Sequence, residues 1–171
     1  MTDAVRDIVI RPIEYRDIPG FHAAVGSVAG ERAFLARTSA FSIEQTAVFV
    51  ASNIAHGHPQ FVAEDEGRVV GWCDIFPSAR EVSQHVGVLG MGLLPPWRGR
   101  GIGRRLIDAT LAAAHGRFEQ VDLDVYGRNA AALALYRTAG FVEQGRKRGG
   151  RKLDGVYDDI VVMTRFLKEP Q

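Results

Sequence analysis

Between Arg98 and Arg105 the chain sets four arginines around three glycines, in the run Arg98-Gly99-Arg100-Gly101-Ile102-Gly103-Arg104-Arg105. An apolar, strand-like segment leads into this run. Leu106, Ile107, Thr110, Leu111 and Ala114 follow it at helical spacings of three and four. A strand, a glycine loop and a helix start form a device for holding phosphate. The helix N-terminus offers N–H groups with no intrahelical acceptor and the positive end of a dipole. Glycines allow close backbone approach, and Arg98, Arg100, Arg104 and Arg105 add fixed positive charge suited to a pyrophosphate or a ribose phosphate. A P-loop would need Lys followed by Ser or Thr after the last glycine, where Arg104-Arg105 stands. A dinucleotide fingerprint begun at Gly99 would need glycine where Arg104 stands. The run instead matches R-x-x-G-x-G from Arg98 to Gly103.

The elements that must position this loop can be read along the chain. Asp7 to Pro12 reads as a strand, and Asp17-Ile18-Pro19 opens a helix running to about Ala29. Ser42 begins a second helix, with Glu44 in its first turn and a stop at His56-Gly57-His58-Pro59. Gln60 to Glu64 and Arg68 to Phe76 read as strands joined by the turn Asp65-Glu66-Gly67. In the strand from His85 to Leu94, Val86 and Val88 alternate in one phase and Leu89, Met91 and Leu93 in the other. An extra residue near Gly90, a bulge made cheap by Gly87, Gly90 and Gly92, would produce that change; a loosely specified glycine-rich strand would also do so. Gln120 to Tyr126 is a clear alternating strand. Asn129 is placed to cap a helix through Ala139 that Gly140 closes. Phe141 to Gln144 and Tyr157 to Phe166 read as the last strands, with a basic loop between them. The order is β-α-α-β-β-β-α-β-α-β-β, an α+β (mixed α/β) domain.

Taken together, Leu89 to Leu106 and a second block from Asn129 to Phe141 resemble the two signature motifs of the GNAT superfamily of acetyl-CoA-dependent N-acetyltransferases. The second block contains Asn129, Tyr136 and Gly140-Phe141. The element order suits that fold, so the resemblance covers nearly the whole chain. It implies a mostly antiparallel mixed sheet, splayed at a bulged strand and flanked by helices. It further implies that acetyl-CoA enters beside that strand. Backbone groups of Met91, Gly92 and Leu93 would pair with the pantetheine arm, and Arg98, Gly99, Arg100, Gly101, Ile102, Gly103 and Arg104 would hold the pyrophosphate. Asn129 and Ala132 would contact the cofactor, and Tyr136 would both touch it and act as general acid toward the departing thiolate. Some relatives carry a base on the bulged strand, but from Val86 to Trp97 this chain has neither a carboxylate nor a histidine. Glu31 and His85 are the alternative catalytic candidates. Glu31, Arg32, Tyr126 and Tyr157 are candidates for the acceptor pocket. The expected reaction is acetylation of a small-molecule primary amine such as an amino acid. Acetylation of a protein N-terminus or lysine, and a non-catalytic acyl-CoA sensor, are the alternatives.

Composition narrows the rest. The chain has 171 residues, 46% hydrophobic and 24% charged, with a net charge of +1, which fits one soluble domain spanning residues 1–171. That balance gives no reason to expect nucleic acid or a membrane as partner. Arg146, Lys147, Arg148, Arg151 and Lys152 form a basic cluster, but acidic residues follow it and no aromatics interleave it, which reads as a solvated hairpin. Cys73 is the only cysteine, so neither an intramolecular disulfide nor a cysteine metal site is expected, and His56 and His58 lack further ligands. Met1 to Asp7 has no apolar core of a secretion signal, which points to the cytoplasm. A homodimer is the assembly that the resemblance suggests.

Overall fold

The computed structural model describes residues 8–169; Asp7, where the first strand was expected to begin, lies outside them. Seven strands are hydrogen-bonded in the order β1-β2-β3-β4-β5-β7-β6. The ladders β1–β2, β2–β3, β5–β7 and β6–β7 are antiparallel, and β4–β5 is parallel. The described residues fall into two compact units, one of residues 8–74 and Met91–Ala113, the other of Ile75–Gly90 and residues 114–169. None of their helices is long and apolar enough to cross a membrane.

The first unit contains β1 (Val9–Pro12), α1 (Ile18–Gly30), α2 (Ile43–His56), β2 (Gln60–Asp65), most of β3 (Arg68–Pro77), the end of β4 (Val86–Leu93) and α3 (Ile102–Ala114). Its helix ends obey local chemistry. Ser42 Oγ accepts from the Gln45 N–H at 3.1 Å while Gln45 Oε1 accepts from the Ser42 N–H at 3.2 Å, and Gly57 ends α2 in the left-handed region. Phe21 of α1 meets Trp72 of β3 edge-on, 5.8 Å between ring centres, and stacks on Phe49 of α2 at 6.5 Å. On α3, Leu106, Ile107, Thr110 and Leu111 are buried, as expected from their spacing, and Ile102 is buried beside them. Cys73 is fully buried, and burial pushes its thiol up.

The second unit contains the start of β4, β5 (Gln120–Tyr126), α4 (Ala130–Thr138), β6 (Val142–Leu153) and β7 (Val156–Phe166). β5 pairs with β7 along its whole length, from Gln120↔Phe166 to Tyr126↔Ile160. On its other edge the parallel pairing with β4 covers only Val86↔Gln120 to Val88↔Asp122. Val121, Val161, Met163 and Phe141 fill the core.

One expectation needs correction. The segment anticipated as a basic loop is strand β6, closed onto β7 by the two-residue turn Asp154-Gly155, both at positive φ. Sitting at the sheet's edge, β6 carries charge on both faces and so lacks the apolar alternation that marks a half-buried strand. A Cβ at Gly87 would meet Ile75 and Phe118, and one at Gly92 would meet Trp72. The β2–β3 ladder carries an irregularity between Ala63 and Glu64.

Candidate active site

In the first unit, Met91 to Arg105 form one continuous strand-loop-helix. Gly99 and Gly101 sit at φ +70° and +77°, a region costly for side-chain-bearing residues. The first helical hydrogen bond, from Arg105 N–H to Gly101 O at 3.2 Å, leaves the N–H groups of Ile102, Gly103 and Arg104 without helical acceptors. Trp97 Nε1–H donates to Asp65 Oδ2 at 2.8 Å and fastens the approach to the loop onto the β2–β3 turn. A Cβ at Gly101 would have open space around it. Its glycine is therefore required by backbone conformation and by whatever approaches it. Gly101→Asp should weaken acetyl-CoA binding at least tenfold through backbone strain of about 1–3 kcal/mol and charge repulsion. Calorimetric titration tests this, and unchanged affinity would place the phosphates elsewhere.

The arginines differ in role. Arg98 gives both terminal nitrogens to Glu31, Nη1 to Oε2 at 2.8 Å and Nη2 to Oε1 at 2.5 Å, while its Nε–H donates to Leu93 O at 2.8 Å. The Phe34 ring lies 4.8 Å from the guanidinium carbon. Arg104 Nε–H bonds Asp108, and Arg105 Nη2 donates to Ile8 O at 2.7 Å. Arg100 is exposed and has no ion pair among the described residues, so its charge is the one most available to an incoming phosphate. Glu31, considered as a base, has its carboxylate committed to fixing Arg98 and through it the Leu93 end of the loop. Glu31→Gln should weaken acetyl-CoA binding three- to fivefold, in keeping with about 1 kcal/mol for a partly exposed pair, and leave kcat within twofold. A hundredfold loss of kcat at unchanged affinity would instead make Glu31 the base.

His85 is exposed just before β4 begins, at the opposite end of that strand from the loop, and its carbonyl accepts from the Glu119 N–H at 2.9 Å. Arg32, next to Glu31, is exposed at φ +57°.

In the second unit, Asn129 Oδ1 accepts from the Ala132 N–H at 3.1 Å and caps α4, which leaves Nδ2–H as its donor to a further partner. Tyr136 on α4 is buried, its ring edge-on to Phe141 at 5.8 Å. Tyr126 and Tyr157 belong to the same end of this unit as Asn129. The Asn129 N–H bonds Tyr126 O, Arg128 Nη2 donates to Tyr157 O at 3.1 Å, and Arg151 lies 4.5 Å from the Tyr126 ring centre. The Tyr157 ring itself is exposed beside Lys152.

Residues 31–141, more than half the chain, match the model of the acetyltransferase (GNAT) family. The chain belongs to that family. This acetyltransferase is an acyltransferase with acetyl-CoA as the acyl donor. It is 36% identical over 118 residues to the N-alpha-acetyltransferase RimI of Mycobacterium tuberculosis, covering 68% of this chain and 72% of that one. It is 29% identical over 111 residues to the L-amino acid N-acetyltransferase AaaT of Escherichia coli, covering 64% and 68%. Its fold matches yncA of Salmonella typhimurium, a structure with acetyl-CoA, at a TM-score of 0.89 and 18% identity over 95% of both chains.

Proposed function

We propose that residues 1–171 act as one acetyltransferase domain that moves the acetyl group of acetyl-CoA to the primary amine of a small molecule, an amino acid or a related amine. The observation that carries the acetyl-CoA side of this reading is the glycine loop with Gly99 and Gly101 in left-handed conformation at the open start of α3, and the 29% identity to AaaT supports the amino acid acceptor. In transfer, an ammonium loses a proton and the amine lone pair forms a C–N bond at the thioester carbon. The nitrogen then loses a second proton as the C–S bond breaks and the thiolate takes one up, so that one proton is released in net. Backbone N–H groups of Met91 or Gly92 would stabilise the oxyanion, and Tyr136 would protonate the thiolate. A second reading, acetylation of a protein N-terminus, draws support from the 36% identity to RimI. The two separate in one assay, thiol release from acetyl-CoA with free amino acids against peptides beginning with the same residues. Faster turnover of peptides at equal concentration would overturn the small-molecule reading. The fully buried free thiol of Cys73 suits a reducing cytoplasm. Assembly as a homodimer would give twice the chain mass by light scattering.

A further inference from the structure

Three buried polar side chains of the first unit stand together on one face of the sheet and are not used by the chemistry above. Gln60 of β2 and Asp74 of β3 are direct cross-strand partners, which sets their Cβ atoms about 5 Å apart. Both are nearly inaccessible, at 3% and 4% exposure. Asn53 of α2, equally buried, donates from Nδ2 to Gln60 Oε1 at 2.9 Å. That bond fixes the amide and leaves Gln60 Nε2 buried with no partner. The Asp74 carboxyl makes no hydrogen bond or ion pair with any described residue. A buried amide donor without an acceptor therefore stands beside a buried acid, and cores rarely keep such a donor without a use.

Their place in the unit suggests the use. Trp72 lies two residues before Asp74 on the same face of β3, about 7 Å away along the strand. A Cβ added to Gly92 would strike the Trp72 ring, so the indole rests on the β4 backbone, where the acetyl carbonyl is expected. β4 supplies no base of its own, since no residue from Val86 to Leu93 is ionisable.

We infer, resting on the transfer reading, that Asp74 is the general base for the acceptor and that Gln60 reads its neighbouring oxygen, so that the site selects amines carrying a carbonyl on the adjacent carbon. The Asp74 carboxylate takes a proton from the ammonium and becomes a carboxylic acid, leaving the nitrogen lone pair to form the C–N bond. The Asp74 proton then passes to water. Gln60 Nε2–H donates to the α-carboxylate or α-carbonyl oxygen. Free amino acids and peptide N-termini share this α-amino carbonyl unit; simple alkylamines lack it. Burial alone pushes the Asp74 carboxyl up to about 7, near the optimum for a base at neutral pH. Around it β2 presents the neutral Gln60 and α2 the neutral Asn53. The titratable ring adjoining the cluster is His58, 3.3 Å from Asn53 Oδ1.

The test compares the wild-type chain with Asp74→Asn and Gln60→Met, each checked for folding by circular dichroism and for acetyl-CoA affinity by titration. With an α-amino acceptor, Asp74→Asn should lose at least a hundredfold in kcat/KM at unchanged acetyl-CoA affinity, along with the inflection near pH 7 in the kcat/KM profile. Gln60→Met should reduce the preference for an amino acid over its matched alkylamine about tenfold. Wild-type turnover with an Asp74→Asn effect below threefold would overturn the assignment and leave the pair as a bound-water site only. Equal turnover of alkylamine and amino acid by the wild type would overturn the role of Gln60. A wild type that binds acetyl-CoA yet releases no thiol with any amine would instead overturn the transfer reading, and this inference with it.

Discussion

Asp74→Asn should make the protein more stable above neutral pH, by about 4 kcal/mol at pH 8. The folded chain holds this carboxyl's proton up to about pH 7 because burial disfavours the carboxylate, whereas the unfolded chain releases it near 4. A folded-state value above the unfolded one means that stability is full below about pH 4. It declines as pH rises through the window to 7, at about 1.4 kcal/mol per pH unit. Asparagine fills the same space and never ionises, so the variant escapes that decline. Urea unfolding at pH 5 and pH 8 reads the effect. The gap between variant and wild type should widen by about 3 kcal/mol between the two. A gap that stays constant would mean that Asp74 titrates as an ordinary carboxylate. Gained stability together with lost turnover is the pattern expected of a group kept for chemistry rather than for folding.

Tyr136→Phe should lower kcat about a hundredfold while changing acetyl-CoA affinity less than threefold. The buried ring packs edge-on against Phe141, and phenylalanine retains that packing, so the helix that carries it stays in place. Only the hydroxyl is lost. A positioned acid contributes about 10²–10⁴ in rate, and a phenol remains protonated at neutral pH, ready for a thiolate. Steady-state kinetics with the preferred amine decides the matter. Unchanged kcat would remove the acid role and leave Tyr136 as a packing residue.

What could be read from the residues alone was whatever depends on local chemistry. The glycines of the loop, the Ser42 cap, the turns at Glu66-Gly67 and the stripe on α3 are dictated within a few residues, and each stands where it was expected. Strand β6 escaped because an exposed edge strand needs no apolar phase, and alternation was the only local signal available. The bond between Arg98 and Glu31 joins residues 67 apart, a pairing that no local pattern encodes. Asp74 did leave a trace, one acid inside the apolar run from Val69 to Phe76, where a carboxylate is seldom buried unpaired. Its significance came only with Gln60 opposite it, and that register follows from the whole β2–β3 ladder.

The central claim is acetyl transfer from acetyl-CoA to an α-amine by this chain. Mass spectrometry of a reaction with deuterium-labelled acetyl-CoA and an amino acid tests it most directly. The labelled acetyl group should appear on the α-nitrogen of the amino acid, with one free thiol released per product. Labelled acetyl-CoA that binds tightly but is recovered intact, with no labelled amide across amino acids, peptides and amines, would contradict it.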